Sequence, residues 1–212
     1  MNAANTPRFG APVQVDGPKR PRRSRRHPLT GNGPIVDRAR AALTRTAAQF
    51  GEVTGKDQTS VTARTPDGIT LTFSYDPGNY VFSRVYNLSI TATLPATSAA
   101  PARIELSHRD RRGPRFVGAR SGGPSAESLV GINGALGARL RSIDLISARI
   151  EGSGSRADSG SGSRTVTLTP MGGSYVWVLI PPVFKATAFP AGEPERIVDL
   201  VRALRDWAPV SA

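Results

Sequence analysis

The stretch from residue 60 to residue 94 constrains the fold most. Residues 60–65 and 69–75 flank Pro66-Asp67-Gly68, a strong turn signal, so the two runs predict an antiparallel hairpin. Ile69, Leu71, Phe73 and Tyr75 alternate with Thr70, Thr72 and Ser74. That alternation puts one face of the strand on a core and the other toward water. Asp76-Pro77-Gly78-Asn79 reads as a further turn, and residues 80–94 as one long strand or two short ones, best over 85–94.

Three helical patterns surround these strands. Residues 35–50 carry Ile35, Val36, Ala39, Leu43, Ala47 and Phe50 at three- and four-residue steps, after a Pro34 suited to the first helical position. Residues 125–150 repeat the spacing through Leu129, Ile132, Leu136, Leu140, Ile143, Ile146 and Ile150, with Ser125 as a cap and Arg139, Arg141, Asp144 and Arg149 off the stripe. Gly131, Gly134 and Gly137 lie inside this pattern. Each costs about 1 kcal/mol relative to alanine, so they predict either a break or a close contact that only glycine permits. A last helix is expected over 193–207, with Ile197, Leu200, Val201, Leu204 and Trp207 inward.

The remaining segments read as a strand over 102–108, a glycine-rich basic loop over 109–124, and a flexible loop over 152–163. Residues 164–169 and 175–180 read as a second hairpin around Pro170-Met171-Gly172-Gly173, the latter run apolar on both faces and therefore central. The expected class is α+β, a mainly antiparallel sheet with helices on one face, in the order α-β-β-β(β)-α-β-β-α. This element order is similar to that of the bacterial type III secretion chaperone-like fold over residues 34–208. The resemblance implies a protein-binding, dimerising module and carries no motif residues.

Charge divides the chain. The net charge is +12. Residues 1–35 hold Arg8, Lys19, Arg20, Arg22, Arg23, Arg25 and Arg26 against Asp16. That is +6, so half the net charge sits in a sixth of the chain. Residues 1–33 are rich in Pro, Gly, Arg and Asn without apolar period, and are expected to be a disordered basic arm on a single domain at 34–212. Lys19, Arg20, Arg22, Arg23, Arg25 and Arg26 are candidate phosphate contacts, as are Arg109, Arg111, Arg112 and Arg115 in the loop that also carries Arg120 and Phe116.

Catalytic chemistry finds little support. There is no cysteine and there are two histidines, and the sixteen acids show no metal-ligand spacing. His108 follows Ser107, but adjacent strand residues point to opposite faces, so a Ser–His pair is not expected. Gly152-Ser153-Gly154 follows the helix expected over 125–150, where a dinucleotide fingerprint follows a strand. No catalytic, cofactor or metal residue is assigned, and the expectation leans away from an enzyme. The longest apolar run, residues 175–180, is far too short to span a bilayer. His27-Pro28-Leu29-Thr30-Gly31 is not the apolar stretch of a secretory signal, so a cytoplasmic location is expected.

Besides an enzyme of an unfamiliar kind, which a deep pocket gathering His108 or several acids would support, two functional readings follow. The first is a non-catalytic protein-binding module, chaperone-like or adaptor, with an unknown partner or a second copy of itself. An uncovered apolar face on residues 125–150 would favour it. The alternative is a nucleic-acid-binding protein using the basic arm and the loop of Arg109, Arg111, Arg112 and Arg115. Tyr175, Trp177, Phe184 and Phe189 are expected in the core, with a pocket lining as the other option.

Overall fold

A computed structural model describes residues 27, 29–79, 83–119, 123–152, 163–178 and 183–208. The elements run α1 (Pro34–Ala47), β1 (Glu52–Lys56), β2 (Ser60–Arg64), β3 (Thr70–Asn79), β4 (Ser83–Leu94), β5 (Ile104–Ser107), β6 (Arg115–Gly118), α2 (Ala126–Arg141), β7 (Leu145–Gly152), β8 (Arg164–Pro170), β9 (Tyr175–Val178), β10 (Val183–Ala186) and α3 (Glu193–Arg205). The class is α+β and the pairings are antiparallel.

The strands form one sheet in the order β1-β2-β3-β4-β8-β7-β5-β6, with β9 beside β4 and β10 beside β9. Period-two alternation sorts its faces. Val61, Phe73, Ile90, Leu168 and Ala148 stand directly opposite one another across five strands, and all are buried. The three helices supply the other half of this core through Ala39, Leu43, Ile132, Leu136, Ile197 and Leu200. One residue along, Thr62, Thr72, Thr91, Thr167, Arg149, Glu105 and Val117 make a row across the opposite face. Half-buried threonines paired across strands are stabilising there, since a β-branched side chain fits the pleat and its hydroxyl meets water.

Several expectations are corrected. The apolar pattern over 125–150 is not one helix but α2 followed by β7. Ser142 ends α2, its N–H donating to Arg139 O at 3.0 Å and its hydroxyl at 2.8 Å. Leu145, Ala148 and Ile150 then turn inward as strand residues while Ile146 is exposed, and a register shift between Leu145 and Ser147 resets the alternation. That shift lets Leu145 and Ala148, three positions apart, face inward from one strand.

The expected hairpin of residues 164–169 with 175–180 does not form. β8 and β9 pair instead with successive parts of β4, Ile90–Leu94 against Arg164–Leu168 and Ser83–Tyr86 against Tyr175–Val178. Asp76 to Asn79 belong to β3 and pair with Asn87 to Arg84, so they are not a turn. Glu52–Lys56 is an additional strand, and Arg115–Gly118 is a strand within the expected basic loop.

Packing begins upstream of Pro34. Leu29 is buried in the core, and the Arg40 guanidinium donates to Leu29 O at 2.6 Å and Gly31 O at 3.0 Å. Near this end the rings of Tyr75, Tyr86 and Tyr175 form a triangle with centroids 6.1–6.5 Å apart. Burial pushes the Tyr75 phenol well above its ordinary pKa. Tyr175 therefore packs in the core and Phe189, half-buried, packs against it on Phe50, whereas the side chains of Trp177 and Phe184 lie outside the described residues.

At the other end, Glu193 is buried at the start of α3 and its Oε1 accepts from Asp144 N–H at 3.0 Å. This bond ties the α2–β7 junction to α3, where a carboxylate is stabilised by the helix N-terminus.

Candidate basic cleft

Asp110 organises the loop between β5 and β6. Its Oδ1 accepts from Arg112 N–H at 2.9 Å, and its carbonyl accepts from Gly113 N–H at 3.1 Å. Its Oδ2 lies 3.0 Å from Arg115 Nη1. The Arg112 N–H, with the Arg115 and Arg112 charges behind it, holds the Asp110 carboxyl below the usual carboxylate range. Gly113 sits at φ +102°, and a Cβ there would stand 3.3 Å from Arg141 Cγ and Cδ. The Arg141 stem thus lies across Gly113, while its Nη1 would stand 3.3 Å from a Cβ at Gly137.

Strand β6 is fixed against α2 by one side chain. Phe116 N–H donates to Asn133 Oδ1 at 2.7 Å, and Asn133 Nδ2 donates to Phe116 O at 2.9 Å and to Leu129 O at 2.7 Å. Phe116 itself is buried and packs inward. Its neighbours Arg115 and Val117 therefore project to the opposite face of the sheet.

These elements enclose a cleft of about 450 Å³. Arg112, Arg115 and Arg141 stand against a single acid, Asp110, and Pro114, Val117, Leu129 and Val130 make its apolar walls. Gly134 and Gly137 contribute bare helix backbone. Arg115 is engaged by Asp110, whereas none of the ion pairs among the described residues involves Arg112 or Arg141. Packing does not require glycine at positions 131 and 134: nothing lies within 4 Å of a Cβ at Gly134, and the nearest atom to one at Gly131 is Trp207 Cζ2 at 3.8 Å. The expected break is not found, since α2 runs unbroken from Ala126 to Arg141, and the close approach at Gly137 is to the Arg141 head one turn on and not to the sheet.

A larger cleft of about 610 Å³ on the outer sheet face sets Arg103 and Arg149 against Glu105 and Glu151, so its charges cancel. Charge rather than size singles out the cleft on α2.

Of the expected contact residues, Arg112 and Arg115 come together here. Arg109 and Arg111 are exposed on the same loop but do not line the cleft. Lys19, Arg20, Arg22, Arg23, Arg25 and Arg26 lie outside the described residues, as does Arg120. Arg141 was legible only as a residue off the apolar stripe of its helix, with nothing to join it to a loop 29 positions upstream. His108 is exposed, and among the described residues no group of three His, Cys, Asp or Glu could hold a metal ion. No described helix is long and apolar enough to cross a membrane.

No curated protein and no solved structure matches the chain. Residues 48–208, which take in the sheet, the cleft and α3, match the family described as "Protein of unknown function (DUF3156)", and the chain belongs to that family.

Proposed function

We propose that this protein is a non-catalytic, cytoplasmic nucleic-acid-binding module whose cleft on α2 receives the phosphate backbone. The convergence of Arg112, Arg115 and Arg141 on one cleft, with a single opposing carboxylate, carries the reading. Guanidinium groups without carboxylate partners neutralise phosphates and release counterions, which gives affinity without sequence preference. The basic residues Lys19 to Arg26 add charge on the same chain and are expected to strengthen this binding.

The protein-docking reading, and with it the resemblance to secretion chaperones, draws less support. It called for an uncovered apolar face on residues 125–150, and Ile132, Leu136 and Leu140 are packed in the core. Six strands precede α2 and β7 replaces the second half of the expected long helix, so the order departs from the one behind that resemblance.

The test is binding of the full chain, and of a chain lacking residues 1–26, to random double-stranded DNA and to RNA at low and physiological salt. Truncation at residue 33 would remove the buried Leu29 and confuse stability with affinity. Salt-sensitive binding by both chains, weaker in the shorter, supports the reading. No binding by either sinks it.

A further inference from the structure

Building on the nucleic-acid reading, we infer that the cleft admits an unpaired base, so that the preferred ligand is a single strand. The cleft is amphipathic: Arg112 and Arg141 offer charge, while Val117, Leu129 and Val130 offer apolar surface. Val130 is 73% exposed, the largest exposure among the big apolar side chains described. A duplex presents phosphates to the arginines and leaves this wall in water. A single strand presents phosphates and apolar base faces together, and proteins that bind unpaired strands use both.

Two further features fit a base. Arg141 passes close to Gly113 with its stem and to Gly137 with Nη1, which places a planar cation at the cleft; such planes stack on bases. The position of a Cβ on Gly134 is empty to 4 Å although the residue lines the cleft. Glycine there costs helix stability and serves no packing contact, and its effect is to leave the cleft open to a flat group.

The experiment compares a fluorescent oligothymidine with a duplex of equal length, using the full chain, Gly134→Leu and Val130→Ser. Leucine at 134 favours the helix and fills the cleft; serine at the exposed position 130 removes apolar wall without touching the core. The native chain is expected to prefer the unpaired strand by about tenfold. Both variants are expected to lose most of that preference, with affinity for the unpaired strand falling further than affinity for the duplex, because the arginines that meet the phosphates remain. Thermal unfolding checks that both fold. Equal affinity of the native chain for the two ligands overturns the inference while leaving the nucleic-acid reading standing, as does a preference retained in both variants. Binding to neither ligand overturns both.

Discussion

Asn133 stands in for a missing strand beside Phe116. Among the described residues β6 ends the main strand path of the sheet and pairs with β5 alone, so the outward N–H and C=O of Phe116 need partners. The Asn133 amide supplies an acceptor at 2.7 Å and a donor at 2.9 Å, in the way a neighbouring backbone would. The same contact sets the distance between β6 and α2, and so the width of the cleft.

Replacing Asn133 with leucine keeps a comparable size and removes its three side-chain hydrogen bonds, two of them to Phe116. Two backbone groups are then left without partners, and the expected loss is about 1–3 kcal/mol, read as a lower urea midpoint at unchanged slope. An unchanged midpoint would show that β6 is held by packing alone.

The glycines divide into two classes with opposite outcomes. Gly131→Ala and Gly134→Ala are each expected to stabilise by up to about 1 kcal/mol, since both are helical and neither Cβ meets a close atom. Gly173→Ala is expected to destabilise by more than that. Gly173 sits at φ +73°, and a Cβ would stand 2.6 Å from Leu88 Cδ2. Thermal melts of the three variants check the division.

Acid should weaken the tie between the β2–β3 turn and α3. Thr65 Oγ1 donates to Asp67 Oδ1 at 2.5 Å and Arg202 Nε to Asp67 Oδ2 at 2.7 Å. The Thr65 hydroxyl first, and Arg202 second, hold the Asp67 carboxyl below its usual 3.8. Because the folded value is depressed, the contribution is fully present above the unfolded value and is lost as pH falls through it to the lower folded one. Unfolding from pH 7 to pH 2 is expected to show a shallower acid decline for Asp67→Asn than for the native chain. The difference is small, as the pair is partly exposed.

The first hairpin was legible because each local signal agreed: turn residues, alternation and apolar content all point to β2 and β3. The split of α2 from β7 was not. Ile143, Ile146 and Ile150 continue the helical spacing of α2, yet Leu145, Ala148 and Ile150 are the inward residues of β7, and the register shift that brings Leu145 and Ala148 to one face has no signature in the apolar pattern. β6 was hidden by its edge position, where a four-residue strand with one inward side chain leaves almost no alternation to read. The loop half of the cleft was visible as clustered arginines. Its other half, Arg141 and the bare backbone at Gly134, depends on how α2 lies beside β6, which is a tertiary relationship.

The most direct measurement is the salt dependence of nucleic-acid affinity for the full chain and for the double variant Arg112→Ala/Arg141→Ala. If both arginines contact phosphates, the slope of log K against log salt becomes shallower by about 1.4 to 1.8 and the affinity falls at every salt concentration. An unchanged slope and affinity, in a double variant that melts like the native chain, would contradict the cleft as the binding site.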